Sequence, residues 1–191
     1  MHRSLRALTC SLSLSLLVLP LAAQQPGMPV PGPEHKQLAA QAGTWDAVLE
    51  TMGPDGKPTQ SKGVSERRVG PGGFWLIDDF QADMLGTPFT GHGALGYDPV
   101  RKLYVQSWVD SMSPMLMTME GTFDKSGKVL TMTGMGPGPQ GTPIKMRLTT
   151  AMPDANTEVF EMYATGPDGK EQRMLKITYT RRAANAKPPA K

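Results

Sequence analysis

The chain predicts an all-β domain: a single antiparallel up-and-down β-barrel of about ten strands behind a short N-terminal helix. Three observations carry that expectation. From Thr44 to Arg182 apolar residues recur at every second position, which is the period of a pleated strand. Clusters of Gly, Pro, Asp and Asn interrupt the alternation about every 8–12 residues, the spacing of strands in a sandwich or barrel. The links are short, so consecutive strands pair as a meander, and a meander this long most simply removes its exposed edges by closing.

The elements follow in order. Residues 1–23 have the layout of a secretory signal peptide: Arg3 and Arg6, then apolar Ala7 to Leu21, then the small-residue exit Leu21-Ala22-Ala23. Serines dilute the apolar run, Pro20 breaks it, and it is shorter than the roughly 20 residues that a membrane span needs. Thr9 before Cys10 is a poor start for a lipid-attachment site. A secreted or periplasmic location is therefore expected, with no membrane span after cleavage. Residues 24–33 (QQPGMPVPGP) form a Pro/Gly linker, Glu34 to Ala42 can make one helix, residues 34–182 form the barrel domain, and 183–191 are a tail expected to lack order.

The strands are expected at 44–52, 61–69, 74–84, 88–97, 103–110, 115–124, 129–135, 144–152, 157–165 and 171–181. Their punctuation has a mechanism. Gly53-Pro-Asp-Gly-Lys57 and Gly166-Pro-Asp-Gly-Lys170 are the same pentapeptide, in which proline presets one turn dihedral and the second glycine accepts the left-handed conformation. Asp98 to Lys102, Asp124 to Lys128 and Pro153 to Asn156 are turns as well, and Gly136 to Pro143 is a longer loop.

Composition removes several function classes. Cys10 is the only cysteine, so the mature chain has no disulfide, thiolate nucleophile or thiolate-held metal. Lys and Arg number 20 against 17 Asp and Glu; without Arg3 and Arg6 the balance is 18 against 17. With no basic run, nucleic acid is not an expected partner. No nucleotide-binding glycine loop, His cluster with metal spacing or Gly-x-Ser-x-Gly elbow occurs, so no cofactor and no metal are expected.

The stretch Ser113-Pro-Met-Leu-Met-Thr-Met-Glu-Gly-Thr-Phe123 places methionine at every second position. Register can be estimated from loop length, because partners across a hairpin keep a constant sum of residue numbers. A four-residue loop at 111–114 sets Asp110 opposite Met115, Trp108 opposite Met117 and Gln106 opposite Met119. A four-residue loop at 125–128 sets Phe123 opposite Leu130 and Gly121 opposite Met132. A three-residue loop at 99–101 sets His92 opposite Trp108. Together these place Thr90, His92, Ala94, Gln106, Trp108, Met117, Met119 and Met132 on one inward face, against Thr118, Glu120, Thr131 and Thr133 in water. Ile144, Met146, Leu148 and Met152 continue the inner face. The same arithmetic leaves Phe89, Leu95, Val105 and Val109 outside, as an apolar patch that a bulge, the helix or a second copy of the chain would have to explain. Thioethers are soft ligands that select Cu(I). Same-face neighbours on one strand lie about 6.5–7 Å apart, however, which is wide for a single ion, and the row is assigned to the wall.

Gly43-Thr-Trp45 opens the first strand after a helical turn and resembles the Gly-x-Trp opening of lipocalin-like (calycin) barrels. There the indole closes one barrel end under an arginine from the end of the chain, a place that Arg181 and Arg182 could fill. A closer likeness runs from about Glu34 to Arg182. Gly43-Thr-Trp45, Gly53 to Lys57, Gly91-His-Gly93 with Gly96-Tyr-Asp-Pro99, Trp108-Val-Asp-Ser-Met112 and Met119-Glu-Gly121 together resemble an exported bacterial family known as domain of unknown function 1579. The resemblance implies a calycin-like barrel and carries no reaction and no catalytic residues.

Three readings of function follow. In the first, the barrel binds a small, largely apolar ligand, with His92, Gln106, Trp108, Asp110, Met117, Met119 and Met132 as the binding residues. In the second, an enzyme on the same scaffold uses His92 with Asp110 for acid–base work, since histidine titrates near neutrality and a carboxylate can orient it. In the third, a filled barrel acts as a structural or interaction protein and self-associates through the Phe89/Val109 patch. Haem held by the lone barrel histidine has no supporting feature here. Asp78 and Asp79 are adjacent, so one must point inward, and Arg67 or Arg68 on the preceding strand is its expected partner.

Overall fold

The structure is a computed structural model and describes residues 27–183 except 54, 85 and 139–140. The leader at 1–23, the start of the linker and all but the first residue of the tail lie outside the described residues.

Helix α1 (Pro33–Ala39) is followed by ten strands: β1 (Gly43–Met52), β2 (Pro58–Val69), β3 (Trp75–Met84), β4 (Thr87–Asp98), β5 (Leu103–Asp110), β6 (Ser113–Phe123), β7 (Val129–Pro137), β8 (Pro143–Asp154), β9 (Thr157–Thr165) and β10 (Glu171–Arg181). Each pairs with its sequence neighbour, and β1 pairs with β10 from Trp45↔Arg181 to Thr51↔Leu175, so the barrel is closed and antiparallel throughout. The expected strands are all present, with ends that differ by up to three residues.

The repeated pentapeptide folds twice in the same way. Gly53 N–H donates to Lys57 O and Gly166 N–H to Lys170 O at 2.8 and 2.9 Å, while Asp55 and Asp168 each accept the amide two residues on at 3.1 Å. Gly56 and Gly169 have φ of +74° and +77°, values at which a Cβ would be strained.

The register across β5, β6 and β7 matches expectation at Trp108↔Met117, Gln106↔Met119, Phe123↔Leu130 and Gly121↔Met132. It does so by an unexpected route at the β5–β6 turn. Asp110 pairs with Ser113 and not Met115, and a bulge between Trp108 and Asp110 restores the alignment. Strand β4 departs from expectation by one residue. The turn at 99–102 has four residues, because Asp98 Oδ1 accepts the amides of Val100 and Arg101 at 2.9 and 3.1 Å and Lys102 takes a left-handed φ of +56°. Gly93 therefore faces Trp108 and His92 faces Val109. The slip reverses β4: Phe89 and Leu95 pack into the core, and Thr90 and His92 turn out. The outer apolar patch shrinks accordingly to Val105 and Val109, the latter 44% exposed.

One barrel end is shut by α1 and Trp45. Leu38 and Trp45 are buried, and the indole Nε1 donates to Gln41 O at 3.0 Å. Arg181 lies over the Trp45 ring at 4.2 Å and donates to Ala42 O, Ala40 O and Ala155 O, so one guanidinium ties the last strand to the end of the helix. This is the arrangement that the Gly-x-Trp opening led one to expect.

Candidate functional site

The barrel encloses a cavity of about 680 Å³. Period two builds its wall. Met117 and Met119 on β6, Met146 and Leu148 on β8, and Phe160 and Met162 on β9 all line it, while Leu116, Thr118 and Glu120, which alternate with the two β6 methionines, are exposed. Glycines make the room. Gly136 on β7 sits against the sulfurs of Met117 and Met146, the former 3.0 Å from where a Cβ would stand, and Gly134 leaves space for Met119. Gly91 and Gly93 do the same for Trp108. A Cβ on Gly93 would lie 2.8 Å from the indole, and one on Gly91 would fall inside the ring's van der Waals envelope. The Gly-His-Gly motif is thus a seat for Trp108.

The sequence-derived site residues separate into three groups. Gln106, Trp108, Asp110, Met117 and Met119 line the cavity. Met132 is buried in the core cluster with Met119 and Leu130, and it does not line the space. His92 is a correction. It lies outside the barrel with 51% of its side chain exposed, and its Nδ1 is 2.6 Å from Asp79 Oδ1. The cause is the four-residue turn before β5. Asp79 also pairs with Arg68, and those two partners, His92 first, hold its carboxyl below the usual carboxylate range. The proposed His92–Asp110 couple is therefore not formed, because the two residues face opposite sides of the wall. Asp110 is engaged otherwise: it accepts from Trp108 Nε1 at 3.1 Å and from the amides of Met112 and Ser113 at 2.9 and 3.0 Å. It fixes the indole and closes the turn.

Alternation left open which aspartate points inward, and it is Asp78. The floor of the cavity, near the helix-capped end, holds a charge cluster. Arg67 donates from Nη1 and Nη2 to the two oxygens of Glu158 at 2.7 and 2.9 Å, and from Nε to Ser65 Oγ at 3.0 Å; the Arg67 and Glu158 side chains are each 5% exposed. Asp78 accepts from Ser65 Oγ at 2.7 Å and lies 3.5 Å from Arg67 Nε. The guanidinium also lies over the rings of Trp45 and Tyr179, at 5.1 and 4.7 Å from their centroids. Burial would pull the Arg67 pKa down, yet Glu158 and Asp78 together hold it above its ordinary value, so Arg67 stays charged. Burial raises the carboxyl of Asp78 and the phenol of Tyr179.

Two features of this floor escaped the sequence reading. Glu158 shares the period-two face of Phe160, Met162 and Ala164, so alternation along β9 could have found it. Gln41 could not be found that way, because it lies between helix and strand. The residue borders the cavity and is 8% exposed, and its Nε2, packed away from any accessible space, has no hydrogen-bond partner among the described residues. At the other end the cavity opens between strand ends, past Met84, Phe89, Met112 and Met174. No histidine lines it among the described residues.

The model of the family described as Protein of unknown function (DUF1579) matches residues 30–181. The chain belongs to that family. Solved structures share the architecture at low identity. Rv2717c from M. tuberculosis is similar with a TM-score of 0.61 and 14% identity, over 80% of this chain and 99% of that one. The S-type phycobiliprotein lyase CPES from Guillardia theta is similar with a TM-score of 0.52 and 8% identity, over 81% of this chain and all of that one. At such identities the likeness establishes the barrel. No curated protein matches the sequence. This DUF1579 chain thus has a closed barrel with a polar floor, an apolar wall and an open end.

Proposed function

We propose that this DUF1579 protein is a binding module that holds a small, largely apolar ligand inside its barrel. The single observation that carries the reading is the cavity of about 680 Å³, walled by methionine, leucine and aromatic side chains and provided with a few polar groups. That size and lining are those of small-molecule sites. Eight methionines border the space, Met84, Met112, Met117, Met119, Met146, Met152, Met162 and Met174, and their unbranched thioethers adapt to a ligand's shape. A phycobiliprotein lyase among the barrels of similar shape supports treating the scaffold as one that handles ligands. The enzymatic alternative loses its acid–base pair to the β4 slip, and the filled-barrel alternative is opposed by the open volume.

The test is titration with the neutral dye Nile red. One dye per barrel should bind with enhanced emission, and Trp108→Ala should weaken it by about tenfold. Absence of binding, or binding that Trp108→Ala and Met117→Ala leave unchanged, would defeat the proposal. The same reading holds the protein to be secreted or periplasmic, on the layout of residues 1–23. The mature N-terminus found in cell fractions should then be Gln24.

A further inference from the structure

The cavity is polarised along its length. At the mouth, Met84, Phe89, Met112 and Met174 offer apolar and flexible contacts. At the floor stand Arg67, Asp78 and Glu158. We propose that the ligand is a lipophilic amine, bound head-first with its ammonium group against Asp78 and its apolar chain running toward the mouth. This deepens the ligand-binding reading and rests on it.

Three observations select that head group. The first is the open side of the Asp78 carboxylate. Its Oδ1 accepts from Ser65 Oγ at 2.7 Å, while Oδ2 accepts no hydrogen bond among the described residues; Arg67 Nε, 3.5 Å away, donates to Ser65 instead. Asp78 lines the cavity with 22% of its side chain accessible, so a donor on a ligand can reach it, whereas Arg67 and Glu158 expose 5% each. The second is the charge balance. Arg67 and Glu158 neutralise each other as a bidentate pair, which leaves Asp78 as the uncompensated charge of the floor. Asp110 adds a further carboxylate nearer the mouth, and Arg67 is the only basic residue lining the cavity among the described residues. An ammonium supplies the missing countercharge in a water-poor space, and a carboxylate adds to the excess. Burial holds the Asp78 carboxyl above its ordinary range in spite of the opposing pull of Arg67, as expected where a buried carboxylate is short of countercharge. The third is the aromatic lining: Phe80, Trp108 and Phe160 border the same space, and ring faces attract an organic cation. A neutral alcohol can donate to Oδ2 but leaves the charge unanswered.

The experiment is Nile red displacement from the purified protein at pH 7.5, using octylammonium, 1-octanol and octanoate, with the dye's own affinity measured first for each variant. In the wild type, octylammonium should compete at least tenfold better than octanoate. In Asp78→Asn, which keeps the side chain's shape and removes its charge, octylammonium should weaken about tenfold while 1-octanol changes less than threefold; this double comparison separates lost charge from a general disturbance of the cavity. Asp78→Ala should act in the same direction and serves if Asp78→Asn does not fold. If the octylammonium and octanol affinities shift together, if neither shifts, or if octanoate equals octylammonium, the amine assignment is wrong while the binding reading survives. If no octyl compound displaces the dye from the wild type, both fall.

Discussion

Replacing Glu158 by Gln keeps the side chain's shape and removes its charge, so it tests the cavity floor directly. Arg67 and Glu158 each expose 5% of their side chains, and the pair is bidentate at 2.7 and 2.9 Å. Removing one partner leaves a buried guanidinium short of countercharge, which typically costs about 3–5 kcal/mol. Asp78 at 3.5 Å and the two aromatic faces remain, so the low end, about 3 kcal/mol, is expected. For a domain of this size, with roughly 2–4 °C per kcal/mol, the melting temperature should fall by about 6–12 °C. Urea unfolding followed by circular dichroism gives the free energy. The double variant Arg67→Met/Glu158→Leu should be much closer to wild type than Glu158→Gln, because apolar groups of similar volume replace the whole pair. A single-variant loss below about 1 kcal/mol, or a double variant as unstable as the single, would refute the picture of a buried, mutually dependent pair.

Three further outcomes are expected. Asp78 has a folded-state pKa raised above its ordinary 3.8, so its contribution favours the fold below that value and is lost as pH rises through the raised one. Asp78→Asn should therefore gain stability relative to wild type between about pH 4 and neutrality, and a flat difference across urea midpoints in that range would count against it. Gly91→Ala should cost about 1–3 kcal/mol by driving a methyl into the Trp108 ring, with partial rescue in a Trp108→Leu background; equal cost in both backgrounds would contradict the seat assigned to that glycine. His92→Ala, on the outer surface, should leave Nile red affinity within about twofold of wild type, and a tenfold loss would put the histidine back in the site.

Strand number, order and closure were legible in the sequence because they depend on period-two patterning and on turn chemistry, both local. The wall residues Met117, Met119 and Trp108 were legible for the same reason. Register across β4 was not. It turned on whether the turn after Asp98 used three residues or four, which the Asp98 side chain and the left-handed Lys102 decide. One residue of slip moved His92 from the cavity to solvent and Phe89 and Leu95 from solvent to the core. The misplaced apolar patch was the visible symptom of that slip. Glu158 was overlooked because a lone glutamate in an amphipathic strand is ordinarily solvated. Its partner Arg67 lies 91 residues earlier and meets it across the closed end of the barrel. Gln41 depends on how the helix meets the first strand, and no periodicity reports that.

The most direct test of the account is methyl NMR of the protein labelled at its methionine methyl groups, titrated with 1-octanol. Saturable shifts are predicted for Met117, Met119, Met146 and Met162, whose side chains line the cavity, and none for the outward Met135 or for Met28 in the linker. Shifts confined to Met135 and Met28, or cavity methyls that stay still while ligand binds, would show that the barrel interior is not where the ligand goes.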